Sequence, residues 1–139
     1  MSDTASGAQL ASYVSTVRAR HGGERVSIVA HSNGGLVSRA FRVFNGGSSV
    51  MRRFVTLGTP HSGTTSAWAC FSPACFDMRP GSLFLLSLAG RGCDRSLWSS
   101  VDGVILPNDL TRTPPPDPAT LSPPGLAPLF ADWFARRGR

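Results

Sequence analysis

Lysine is absent. All fourteen basic residues are arginine, set against eight acids, and the formal net charge is +6. Basic proteins often meet nucleic acid, but that requires a stripe of cations interleaved with aromatics. Here the arginines are dispersed, as at Arg18, Arg25, Arg39, Arg52, Arg79, Arg95 and Arg112, with one small group at Arg136, Arg137 and Arg139. No nucleic-acid partner is expected. No apolar run approaches the length of about 18 residues that marks a transmembrane helix, so no stable membrane insertion is expected. The N-terminus shows no basic segment followed by an apolar one, so no signal peptide is read there. Cysteine is scarce: Cys70, Cys75 and Cys93. Three are too few for a disulfide scaffold. Their spacing, with no histidine nearby, is not that of a zinc knuckle, so neither metal nor cofactor is expected. One disulfide plus an odd thiol, or three buried thiols, both fit. Histidine is equally sparse: His21, His31 and His61, with none beyond.

What is present is a chain of ordinary globular composition, 41% apolar and 16% charged, long enough for one modest core. Residues 4–21 carry Leu10, Tyr13, Val14 and Val17 at helical spacing, with Asp3 or Thr4 as cap and Gly22-Gly23 as stop. Arg25 to Ala30 is a short β-branched run with the look of a buried parallel strand. A second helix is expected from Leu36 to Phe44, with Leu36, Val37, Ala40, Phe41 and Phe44 on its apolar face. A second strand is expected at Phe54–Leu57. This alternation predicts βαβ units and a parallel sheet. Residues 64–80 read as a long loop. Ser82–Ala89 reads as a helix with either Leu83, Leu86 and Ala89 or Leu85 and Leu88 inward, and Leu97–Val101 as a third strand. Eight of the eleven prolines fall at 107–128, where neither regular helix nor central sheet is expected. Leu126–Arg136 reads as a short docking helix. The division that follows is a core over 1–106 and a divergent proline-rich tail over 107–139.

The chemistry-bearing feature is Ala30-His31-Ser32-Asn33-Gly34, set between a strand and a helix. It is a nucleophile elbow of the G-x-S-x-G type with alanine in the first position. Small flanking residues are expected to let the sharp turn close, lifting the serine hydroxyl above the carboxyl edge of the sheet. Ser32 then begins a helix whose free amides favour developing negative charge. The backbone N–H of Asn33 is placed as one oxyanion-hole donor.

Val26-Ser-Ile-Val-Ala-His-Ser-Asn-Gly-Gly-Leu-Val-Ser-Arg39, followed by Phe54-Val-Thr-Leu-Gly-Thr-Pro-His-Ser-Gly-Thr64, resembles bacterial triacylglycerol lipases and esterases of the α/β-hydrolase fold. The alanine variant of the elbow is similar to that of small Bacillus-type lipases. Pro73–Ser82 and Leu97–Pro107 resemble stretches of actinobacterial secreted lipases. The resemblance spans residues of about 5–107. It implies an α/β-hydrolase-type parallel sheet flanked by helices, Ser32 as nucleophile, Asp102 as the acid that orients the base, and a small-molecule ester or lipid as substrate. It also implies an extracellular setting. His31 and His61 are candidate pocket residues, His61 within a Thr-Pro-His-x-Gly motif that the family shares. Asp94 and Asp109 stand in reserve for the acid.

The pattern breaks at the general base. No histidine follows Asp102, and Gly125 falls about where the resemblance calls for one. His31, beside the nucleophile, is expected to point away from Ser32; His21 suits the C-terminus of the first helix. Only 31 residues precede Ser32, room for one helix and one strand. The chain therefore reads as a partial α/β-hydrolase domain, truncated or frame-disrupted. The functional expectation is a serine ester hydrolase acting on esters such as acylglycerols. The alternatives are a catalytically inactive hydrolase-like fragment, or a thioesterase or lactonase using the same elbow. Oligomeric state and acyl preference are not read from the sequence.

Overall fold

The computed structural model describes residues 1–91 and 93–97. It is a parallel three-stranded sheet flanked by helices, with spatial order β1-β2-β3. The strands are β1 (Val26–His31), β2 (Met51–Leu57) and β3 (Arg95–Leu97). Around them lie α1 (Asp3–Arg20), α2 (Asn33–Phe44), α3 (Gly47–Val50), α4 (Pro73–Asp77), α5 (Leu83–Ser87) and a 3₁₀ turn at Thr65–Ala69. In register, His31 pairs with Leu57 and Leu57 with Leu97. Three parallel strands therefore end at one edge, and Ser32 leaves from it.

The parallel sheet is that expected, but α3 was not foreseen, β2 begins three residues ahead of the expected Phe54, and the side chains that face inward differ. Ser2, not Asp3 or Thr4, caps α1, accepting from the Ala5 N–H. Tyr13 is 68% exposed while Asp3, Gly7 and Val14 are buried. The inner face of α1 is set by close approach. A Cβ on Gly7 would come within 2.9 Å of the Ala40 Cβ and 3.0 Å of the Phe41 backbone nitrogen. Small residues carry little weight in apolar periodicity, so the sequence points to the neighbouring face. In α2, Leu36, Ala40 and Phe41 are buried as expected, but Phe44 is exposed.

Strand β1 alternates, with Ala30 buried and Val29 exposed. Among the described residues it has one strand partner, so it lacks the two-sided burial expected of it. The segment read as a loop, 64–80, holds the 3₁₀ turn and α4. Ser72 caps α4 and Pro73 opens it, a favourable first-turn position for a residue without an N–H. In α5, Leu85 and Leu88 turn inward and Leu83 and Leu86 are exposed. Strand β3 begins two residues ahead of the expected Leu97, and the remainder of that expectation, 98–101, lies outside the described residues.

Two apolar clusters meet at α2. Val14, Ala30, Phe41, Met51, Phe54 and Cys93 form one. Leu36, Ala40, Phe84, Leu85 and Leu88 form the other. Each fully buried aromatic or leucine removed from water is worth about 1.5–3 kcal/mol, so α2 is held on both sides and the elbow at its start sits on a fixed element. Cys70 and Cys75 form a disulfide and Cys93 is a buried thiol outside it, which matches the first of the two cysteine readings. Among the described residues no group of three or more His, Cys, Asp or Glu is arranged to hold a metal ion.

Candidate functional site

Ser32 has φ 52° and ψ −131°, and is the one non-glycine residue of positive φ among those described. Such a conformation costs about 1–3 kcal/mol and persists only where its surroundings impose it. Here they do. The Ser32 N–H donates to the Leu57 carbonyl at 2.9 Å, and the Ser32 carbonyl accepts from the Gly35 N–H at 3.0 Å. One bond fastens the residue to the sheet, the other starts α2. Behind the turn, Gly35 packs on Thr59, where a Cβ would overlap the threonine side chain.

A serine at a helix N-cap usually spends its hydroxyl on the helix amides. Ser32 makes no such bond. Ser32 is half-buried, and its hydroxyl is left for other partners. The side chain of Asn33 is held: its Nδ2 donates to Asp3 Oδ1 at 2.9 Å. Asp3 is 1% exposed, and burial lifts its pKa to about 6. The Asn33 hydrogen bond opposes that rise, the Asp77 carboxylate adds to it, and the Met1 amino group opposes it.

His61 also lies past the carboxyl end of a strand, but it is buried in a polar cluster. Its Nδ1 faces Arg39 Nη1 at 3.2 Å and its Nε2 lies 2.8 Å from Thr56 Oγ1. Arginine can only donate, so Nδ1 is the acceptor and the ring proton sits on Nε2, donating to Thr56. Desolvation, with the Arg39 charge added, pushes the His61 pKa down to about 3. A ring with both nitrogens engaged and little basicity is not available to take a proton from Ser32. Arg39 also donates to the carbonyls of His61, Leu88 and Arg91. Its pKa is lowered to about 10 by desolvation, a drop that the Cys93 thiol moderates. It remains a cation at neutral pH.

His31 ends β1, exposed. His21 follows α1, where its N–H donates to the Arg18 carbonyl. A cavity of about 360 Å³ is lined by Arg42, Val43, Ser48, Gly90 and Arg91, and none of the candidate site residues is among them. Asp94 pairs with Arg42 at 3.2 Å and accepts from the Phe54 N–H, so it is committed to holding β2. Asp102 and Asp109 lie outside the described residues, as does the expected tail. The structure thus brings together Ser32, Asn33 and the unforeseen Asp3, and sets His61 apart with Arg39. Arg39 carried a signal: a charge within the apolar stripe of Leu36, Ala40 and Val43. Asp3 carried none beyond its place near a helix start.

No family model matches the chain. Among solved structures, it is similar to the Bacillus licheniformis lipase BlEst2 in its mature form, with a TM-score of 0.55 and 25% identity over 63% of this chain and 40% of that one. The propeptide form of the same lipase gives a TM-score of 0.54 and 24% identity, covering 63% and 22%. The chain therefore spans less than half the length of the lipase it resembles. The likeness supports a lipase-like fold of the α/β-hydrolase type.

Proposed function

We propose that this chain carries the nucleophile half of a lipase- or esterase-type acyl-transfer site. Ser32 attacks the carbonyl carbon of a carboxylic ester, and the Asn33 backbone N–H holds the oxyanion. The alcohol then leaves and water releases the acid from the acyl-serine. Asp102 is proposed as the acid that would orient an imidazole. The observation that carries the reading is the strained backbone of Ser32 at the carboxyl edge of a parallel sheet, with its hydroxyl unspent. The Cys70–Cys75 disulfide supports an oxidising compartment as its place of work.

One observation favours a second reading, a catalytically silent hydrolase-like chain. None of the three histidines is offered to Ser32 as a base: His61 is buried and engaged, His31 is exposed at the end of β1, and His21 closes α1. Loss of a triad member leaves about three to four powers of ten over water from binding and the oxyanion hole. Slow labelling and little ester turnover are therefore expected. The test exposes the purified chain and its Ser32→Ala variant to a fluorophosphonate, and to p-nitrophenyl butyrate with and without added imidazole. Labelling confined to Ser32, with turnover raised by imidazole in the parent alone, supports the acyl-transfer reading. Equal labelling of parent and variant overturns it and leaves the silent reading.

A further inference from the structure

The proposed chemistry makes no use of the buried carboxyl of Asp3. Its backbone N–H donates to Asp77 Oδ2 at 2.7 Å, which ties α1 to α4. Its Oδ1 accepts from Asn33 Nδ2 at 2.9 Å. Its Oδ2 has no donor among the described residues, and Asn33 Oδ1 has none either. A buried acceptor without a donor is costly, so this pair is a poor device for stability alone. Burial makes the anionic form costly, and the desolvated group favours its neutral form. One turn further along, Gly7 of α1 rests on Ala40 of α2. The start of α1 is thus seated on α2, with one carboxyl reaching the residue that follows Ser32.

We propose that Asp3 is a positioning residue: through the Asn33 side chain, its carboxyl fixes the Asn33 backbone N–H that faces the developing oxyanion at Ser32. This rests on the reading of Ser32 and Asn33 given above. A side chain gripped at its amide limits how far its own backbone can turn. A misplacement of about 1 Å in a reacting constellation costs on the order of a hundredfold in rate. The grip depends on charge, because an anionic acceptor binds an N–H more tightly than a neutral one. The groups that act on Asp3 are Asn33 on α2, Asp77 on α4 and the Met1 amino group. The clamp tightens as pH rises through about 6 and slackens below it.

The test uses the full chain, Asp3→Asn and Asp3→Ala, between pH 4.5 and 8. It reads the second-order rate of Ser32 labelling by a fluorophosphonate and the ¹H–¹⁵N resonance of the Asn33 amide. In the parent, the Asn33 amide titrates near pH 6 and the labelling rate shows a step there, on top of the smooth slope of a free hydroxyl. Asp3→Ala labels about tenfold to a hundredfold more slowly at pH 7.5. Asp3→Asn keeps a neutral acceptor of the same shape, so it labels faster than Asp3→Ala, holds the parent's acid-side rate at every pH and loses the step. A purely structural role would not remove the step alone. An Asn33 amide that moves no more than exposed amides overturns the proposal whatever the label does. So does Asp3→Ala labelling at the parental rate. A titrating amide with no labelling in any form sinks the Ser32 reading instead, and leaves Asp3 as the holder of this backbone.

Discussion

Two turns leave the same edge of the sheet, and they treat their polar residues in opposite ways. The turn after β1 holds Ser32 at positive φ with its hydroxyl unspent on the helix it begins. The turn after β2 buries His61, engages both ring nitrogens and sets Arg39 across three carbonyls. The first accepts strain and leaves a reactive group unsatisfied. The second satisfies almost everything and leaves nothing to react. Both were candidates on sequence because both carry chemically capable residues at a catalytic edge. What separates them is whether hydrogen bonding has already consumed the reactive atom.

The sharpest way to break this contrast is at the serine. Ser32→Ala is expected to abolish fluorophosphonate labelling altogether, as read by intact mass. Ser32→Gly is expected to abolish it too while raising stability by about 1 kcal/mol, since glycine adopts positive φ without the steric cost. Urea denaturation checks the second part. An unchanged or lowered midpoint in Ser32→Gly would mean that the turn stores no strain.

The polar cluster behind the other turn should respond in stability. Arg39→Met takes a donor from the carbonyls of Leu88, Arg91 and His61, of which Leu88 keeps the Arg91 N–H, and from His61 Nδ1. A loss of about 1–3 kcal/mol is expected, the cost of buried acceptors left without a donor. Arg42→Ala is the comparison. Its pair with Asp94 is about one-third exposed on both sides, and such pairs are worth at most about 1 kcal/mol. Equal losses from the two substitutions would remove the distinction between a buried framework and an ordinary surface pair.

How much of this was legible beforehand follows from the range of the forces. The elbow is a local event: a β-branched run, five residues, then a helix. Its position follows from neighbours in the chain, and the parallel sheet from the alternation around it, while its strain is held by Leu57 on the next strand. The contacts that give the other polar residues their meaning are distant in sequence. Arg39 meets His61 across 22 residues, and Asn33 meets Asp3 across 30. Bulk dominates apolar periodicity and points to Tyr13 as inward, whereas α1 docks through Gly7. The helix at Pro73–Asp77 is one short turn with no repeat to detect. Asp102 is proposed from resemblance alone, since it lies outside the described residues.

Acid titration separates the two turns by sign. The unfolded His61 imidazole takes a proton near 6.5 and the folded one only near 3. Its contribution is therefore complete above 6.5 and is lost as pH falls toward 3. Asp3 runs the other way. Its folded pKa of about 6 exceeds the ordinary 3.8, so the stability linked to it is complete below 3.8 and is lost as pH rises through 6. Between pH 7 and 5 the two oppose each other, each by about 1–2 kcal/mol. Asp3→Asn removes one side of the balance. Its urea midpoint is expected to fall more steeply with acid than the parent's over that range. Parallel curves would deny Asp3 its raised pKa.

The two glycines after Ser32 invert the sequence reading. Gly34 is the motif position, read as small because the turn would not close around a side chain. Yet a Cβ there meets nothing within 4 Å, whereas one at Gly35 overlaps Thr59. Gly35→Ala is expected to cost about 1–3 kcal/mol through overpacking, and Thr59→Ala in the same chain should return part of it. Gly34→Ala lies in the first turn of α2 without a clash. It should leave stability within about 0.5 kcal/mol of the parent or raise it, since alanine is the better helix former. A large loss at Gly34 with none at Gly35 would restore the motif's own explanation. The opposite pattern would mean that the close approach of Thr59, not the tightness of the turn, is what demands glycine beside this serine.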